Sequence, residues 1–152
     1  MSSISKEERL IIENMFRKFA NADDMSLINK AILDAKLKKG IYHEVVNHGP
    51  NLHSLKNCII GKIGLNQNSS EILAIALWGL VRPVIDRGRQ SSIGIINVIW
   101  LYEDSLCLYK DHANYKGKLF NIKKGMKSGW FHRIHPGQLV GCGCHTKPVT
   151  PF

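Results

Sequence analysis

The sequence predicts an α+β fold: a helical N-terminal platform, residues 1–99, bearing a small, irregular, partly β, basic Cys/His-rich cap, residues 100–152. Three observations predict it. Through most of the first two thirds, apolar residues recur at helical spacing. Ile93 to Tyr102 is rich in β-branched and aromatic residues, which suit a strand. From Glu103 onward apolar runs shorten, and Gly, Lys, His and Cys dominate. A chain of 152 residues that is 44% hydrophobic has the size and core content of one compact domain.

Along the platform, Ser5 or Ser3 caps a first helix, with Glu7 and Glu8 in its positive first turn. Leu10, Ile11, Met15, Phe16 and Phe19 carry its apolar face. Asn21-Ala-Asp-Asp breaks the pattern. Asp24 is the expected cap of a second helix, whose apolar side is Met25, Leu27, Ile28, Ala31, Ile32 and Leu37, with Gly40 ending it. His48-Gly-Pro-Asn51 reads as a turn. It is similar to the opening of type II dehydroquinases, but those enzymes begin on a buried strand and this segment follows two helical ones. Leu52 to Ile63 is a helix or a strand. Ser70 is the expected cap of a third helix, whose all-round apolarity (Ile72 to Val81) implies burial. Pro83 marks a kink there, and Asp86 to Ser92 is a polar break or a continuation. In the cap, Lys118 to Ile122 is the clearest short strand. There is no internal repeat.

Charge is distributed unevenly. Residues 1–105 hold 13 Lys and Arg against 11 Asp and Glu, whereas residues 106–152 hold 8 against Asp111 alone. A cationic segment of this kind suits a polyanion, because phosphate backbones release counterions when Lys and Arg neutralise them. Nucleic acid, RNA or DNA, is the expected partner. An acidic inhibitor or immunity protein is a second, and a solvated lysine surface is the bland alternative. The N-terminus lacks a signal-peptide core. The longest apolar stretch, Ile72 to Ile85, contains Arg82 and Pro83 and is too short for a stable transmembrane segment. The expectation is a soluble protein, cytoplasmic or delivered into a target cell's cytoplasm.

The chemistry-bearing residues concentrate in the cap. Cys107, His112, His132, His135, Cys142, Cys144 and His145 give spacings of Cys-x4-His, His-x2-His and Cys-x-Cys-His. Zinc takes four thiolate or imidazole ligands in a tetrahedron. Cys107 and His112 form one half-site, and a choice from His135, Cys142 and Cys144 forms the other; the favoured set is Cys107, His112, Cys142 and Cys144 around a structural Zn2+. A disulfide from Cys107 to Cys142 or Cys144 is the rival. Cys58 stands alone and reads as a small buried hydrophobe. Metal-independent phosphodiester cleavage needs a base, an acid and a cation. His132, His135 and Arg133 offer these as catalytic candidates, with Lys123, Lys124 and Lys127 as phosphate-binding ones. His132 and His135 converge only if the segment turns.

One ordered set of motifs resembles a known family. Trp100-Leu-Tyr-Glu-Asp-Ser-Leu-Cys107, then His112, Gly117-Lys-Leu-Phe120, His135-Pro136 and Cys142-Gly-Cys144 with Pro148, is similar to the C-terminal part of phage Mu F-like minor head proteins. It covers about a third of the chain. Five residues separate Pro136 from Cys142, where the family has one or two, and Cys-Gly-Cys replaces Cys-Arg-Cys. The resemblance implies head assembly near packaged DNA, or a place among phage-derived polymorphic toxins, whose terminal domains are small, basic and often nucleases. The function expected is thus a nucleic-acid-targeting bacterial toxin, in its enzymatic form a nuclease. A phage-head or DNA-associated binding protein and a membrane-perturbing toxin are the alternatives.

Overall fold

In the computed structural model, which describes residues 3–150, five α-helices precede a small set of short strands. Together they are an α+β protein with the strands and the Cys/His-rich segment in the C-terminal part. The helices are α1 (Lys6–Phe16), α2 (Ala22–Lys36), α3 (Ile41–His48), α4 (Leu52–Ile63) and α5 (Gln67–Ser92). The strands are β1 (Asn97–Leu101), β2 (Leu119–Asn121), β3 (Met126–Lys127), β4 (Arg133–Ile134) and β5 (His145–Val149). The chain divides into two compact units, Met1–Val81 and Arg82–Phe152. The division falls inside α5, well before residue 100. The last turns of α5 belong with the strands: Arg87 donates to the Pro136 carbonyl and Thr146 to the Gln90 side chain.

The first unit is built from local signals. Ser5 caps α1 by accepting from the Glu8 amide at 3.1 Å. Asn21, not Asp24, caps α2; Asp24 is the third helical residue and closes a reciprocal capping box. α3 has no counterpart in the sequence reading. It has eight residues and starts after Gly40 without a side-chain cap, so its only signal is Ile41 and Val45 one turn apart, both buried. The His48-Gly49-Pro50-Asn51 turn sits between α3 and α4, with Asn51 accepting from the Ser54 amide. α5 begins earlier than Ser70: Asn66 accepts from the Ser69 amide, and Ser69 and Ser70 are buried helical residues. The helix runs through Pro83 without interruption. Ile12, Phe16, Ile28, Ile32, Val45, Leu55, Ile59, Leu73 and Leu77 form the core and are fully buried. The apolarity of α5 is not matched by burial all round, since Ile75 is 54% exposed.

In the second unit β1 is the central strand of an antiparallel sheet ordered β2-β1-β5. Val98 and Trp100 point into the core and Asn97 and Leu101 outward, the alternation a half-buried strand requires. Trp100 is fully buried and packs against Tyr115 at 4.8 Å and Phe120 at 5.8 Å between ring centres. β3 and β4 form a separate two-residue hairpin ladder, with Met126 opposite Ile134 and Lys127 opposite Arg133.

Candidate metal centre

Pairing of β1 with β5 builds the centre. It places Leu101 opposite His145, which sets the end of one strand beside the start of the other. Cys107 follows β1 across a turn closed by hydrogen bonds from Leu106 and Cys107 to the Glu103 carbonyl. Cys142 and Cys144 immediately precede β5. A short 3-10 helix, Lys110–Tyr115, carries His112 inward between them. Two further bonds lock these loops together: the Leu108 amide donates to the Gly141 carbonyl at 2.9 Å, and the Tyr109 hydroxyl to the Val140 carbonyl at 2.7 Å.

Cys107, His112, Cys142 and Cys144 are all buried, and their ligand atoms lie within 4.8 Å of one another. His112 Nδ1 is 3.5 Å from the Cys107 sulfur, 3.4 Å from that of Cys142 and 3.9 Å from that of Cys144. A zinc tetrahedron with bonds of about 2.0–2.3 Å has edges of roughly 3.3–3.8 Å, so these separations span one ion. None of the four cysteines is in a disulfide. The His112 ring is held by stacking on Tyr109, 5.0 Å away and 15° from parallel, and by an edge contact with Trp100.

The electrostatics also fit a cation. Three buried thiols cannot all ionise unaided. Hydrogen bonding from the Cys144 thiol, and then from His112 and the Gly137 amide at 3.3 Å, holds Cys142 down to about 4. That same bond to Cys142, together with burial, drives Cys144 upward, and burial drives Cys107 upward. Burial thus opposes ionisation of all three sulfurs together, and a dication would let them bind as thiolates. The buried Trp100 indole N–H lies beside the Cys144 sulfur and favours its thiolate form. Buried Cys107, His112, Cys142 and Cys144 are thus compatible with a structural metal site, as their spacing led one to expect.

The other histidines lie elsewhere. His145 is exposed on β5 and takes no part. His135, an alternative ligand in the sequence reading, is outside the cluster. Its ring packs near Phe120 and under Gly125, where a Cβ would be 2.9 Å from the Ile134 carbonyl oxygen and 3.2 Å from His135 Nε2. Its buried Nδ1 has no partner among the described residues. Burial, then the nearby Arg87 charge, lowers its pKa to about 4. His132 and Arg133 are exposed, whereas His135 is half-buried. Extended backbone at Arg133–Ile134 sends residues three apart to opposite faces.

The depressed pKa of His135 has a consequence for stability. The unfolded chain takes up this proton below about 6.5 and the folded one only near 4. The contribution is intact above 6.5 and is lost as pH falls toward 4. Urea melts across that window should show a shallower fall for His135→Phe than for the wild type; parallel slopes would refute the assignment.

The cationic residues of the second unit are displayed outward. Lys123 and Lys124 top a turn in which the Asn121 side chain accepts both their amides. Lys127 and Arg133 sit opposite one another on the hairpin. All four are exposed, and none has an ion-pair partner among the described residues. At the hairpin tip Trp130 is 89% exposed and Phe131 92%. The sequence reading passed over these two rings for the histidines beside them.

Cys58 is not the buried hydrophobe its isolation suggested. It is half-exposed and donates to Glu44 at 3.3 Å, and burial, then that bond, raises its pKa. It is no activated thiolate. Among the described residues no helix is long and apolar enough to cross a membrane. No family model, curated protein or solved structure matches the chain.

Proposed function

We propose that the second unit is a metal-ordered module that binds nucleic acid, acting as the working part of a phage-derived, toxin-type effector. One observation carries the reading. The β3–β4 hairpin sets Lys127 directly opposite Arg133 and presents Trp130 and Phe131 almost fully to solvent at its tip. Like charges paired across a ladder are destabilising by themselves, and a phosphate between them turns that repulsion into two attractions. Exposed aromatic rings supply faces for unstacked bases, each worth about 1–3 kcal/mol. Cations beside bare aromatics are the combination that single-stranded nucleic acid recognises. Lys123 and Lys124 extend the same phosphate-binding chemistry, and the Cys/His centre orders the loops of this unit. The resemblance to phage Mu F-like proteins supports a role close to phage nucleic acid. A cationic face of this kind also suits an acidic inhibitor, which would associate rapidly and with steep salt dependence.

Anisotropy titrations of labelled single-stranded RNA and DNA test it. Trp130→Ala with Phe131→Ala is expected to weaken binding at least tenfold with little change in salt slope. Lys127→Glu or Arg133→Glu should weaken it and reduce the slope of log K against log salt by about one per cation removed. Unaltered affinity in both sets would end the proposal.

Cleavage is the stronger form of the reading. Exposed His132 beside Arg133 is the arrangement that favours it, and His135, half-buried and neutral at pH 7, would steady the hairpin from beneath. Incubation with total RNA, tRNA and plasmid DNA decides it. A nuclease loses activity on His132→Ala; binding without cleavage leaves the non-enzymatic, DNA-associated role.

A further inference from the structure

The first unit carries a second constellation of ligand-type side chains. Glu44 and His48 lie one turn apart on α3, and Cys58 faces them from α4. Glu44 Oε2 is 3.3 Å from the Cys58 sulfur and 3.6 Å from His48 Nε2. All three ligand atoms fall within 4.8 Å of one another. The first two distances match edges of a zinc tetrahedron, roughly 3.3–3.8 Å for bonds of about 2.0–2.3 Å.

The surrounding contacts orient each group toward that face. His48 Nδ1 is 2.6 Å from the Ser54 hydroxyl, the outer-shell partner that fixes a ligand histidine's ring and leaves Nε2 free to bind. Glu44 Oε1 accepts from Lys62 at 2.7 Å, which pins the carboxylate and turns Oε2 toward Cys58 and His48. The Glu44 and His48 side chains are 27% and 26% exposed, so solvent reaches the cluster. A closed structural site has four protein ligands; three with solvent access is the pattern that retains an open position.

We infer that Glu44, His48 and Cys58 form a second metal site, which takes one late first-row divalent ion such as Zn2+ or Co2+ and leaves a coordination position for water or an anionic ligand. Thiolate, imidazole and carboxylate together select such an ion over Mg2+ or Ca2+. Binding moves the Cys58 thiol proton to solvent, and the thiolate and carboxylate charges balance the dication.

The test is metal stoichiometry of the full chain. Protein dialysed against buffered micromolar Zn2+ is assayed for bound metal, beside Cys58→Ser and His48→Gln, with circular dichroism confirming that each variant is folded. Both variants should hold one equivalent fewer than the wild type. With Co2+, Cys58→Ser should lose one sulfur-to-metal absorption component and keep that of the Cys107, His112, Cys142 and Cys144 centre. Equal metal content in the wild type and either folded variant overturns the site and leaves a hydrogen-bonded Glu–His–Cys cluster. Because the readout is a difference within the first unit, it is independent of nucleic-acid binding.

Discussion

Replacing Cys142 with serine is expected to abolish zinc binding by the second unit and to unfold it. Cys142 is the best-supported sulfur of the centre. It meets His112 at 3.4 Å, receives the Gly137 amide and lies among three other ligands. A hydroxyl in its place is a poor zinc ligand and leaves the buried loops without their staple. In small finger peptides, structural zinc is worth about 10–16 kcal/mol of folding free energy, as much as the whole stability of a typical domain, roughly 5–15 kcal/mol. The unit's regular structure is small, three short paired strands and a separate two-residue hairpin. One zinc per chain should be lost, detected with a chromophoric chelator. Near-ultraviolet dichroism from buried Trp100 should collapse, while most of the helical signal persists because α1–α4 lie in the first unit. Serine at Cys107 or Cys144 should behave alike. A chelated wild type that melts as the untreated protein does would remove the metal from this account.

Gly143→Ala should be nearly as damaging, for a steric reason. A Cβ at Gly143 would collide with the Leu106 carbonyl oxygen and lie 2.6 Å from both its carbonyl carbon and its Cβ. The obstacle is backbone, held in a turn by the Leu106 bond to the Glu103 carbonyl, and cannot swing aside as a flexible side chain could. Relief requires that Cys142 and Cys144 move away from Cys107, which spoils the tetrahedron. Overpacking commonly costs about 1–3 kcal/mol; the coupled loss of metal geometry should push the effect higher. Zinc affinity should fall by at least a hundredfold in competition with a chelator of known strength. An alanine variant that binds zinc normally would show that the close approach is dispensable. The Gly between the two cysteines is therefore explained by room.

Much of the first unit was readable because its signals are local. Ser5 caps its helix through a contact three residues away, and the spacing of Ile28 and Ile32 declares a buried face; on α1 the expected face was right at Phe16 but missed buried Ile12 and included exposed Leu10 and Phe19. Where a signal was short, the reading failed. The eight residues of α3 held too few apolar positions to register. With α3 unseen, Glu44 and His48 were not one turn apart on anything, and Cys58 had no visible partner. The start of α5 was misplaced because Asn66 and Ser70 are both good caps, and burial of Ser69 and Ser70 chose between them.

The sequence by itself determined the chemical inventory: three cysteines and four histidines gathered near one end, the lysine excess there, and no carboxylate after Asp111 to offset it. It also determined that Cys107 with His112 and Cys142 with Cys144 could each form half a centre. Only the tertiary structure decided that these halves meet, that His132, His135 and His145 stay outside, and that Trp130 and Phe131 reach solvent. The reason is distance along the chain. Ligands some thirty residues apart converge because β1 pairs with β5 in a fixed register, a long-range pairing that no local pattern announces. Spacing specifies which atoms can share an ion; long-range strand register specifies which of them do.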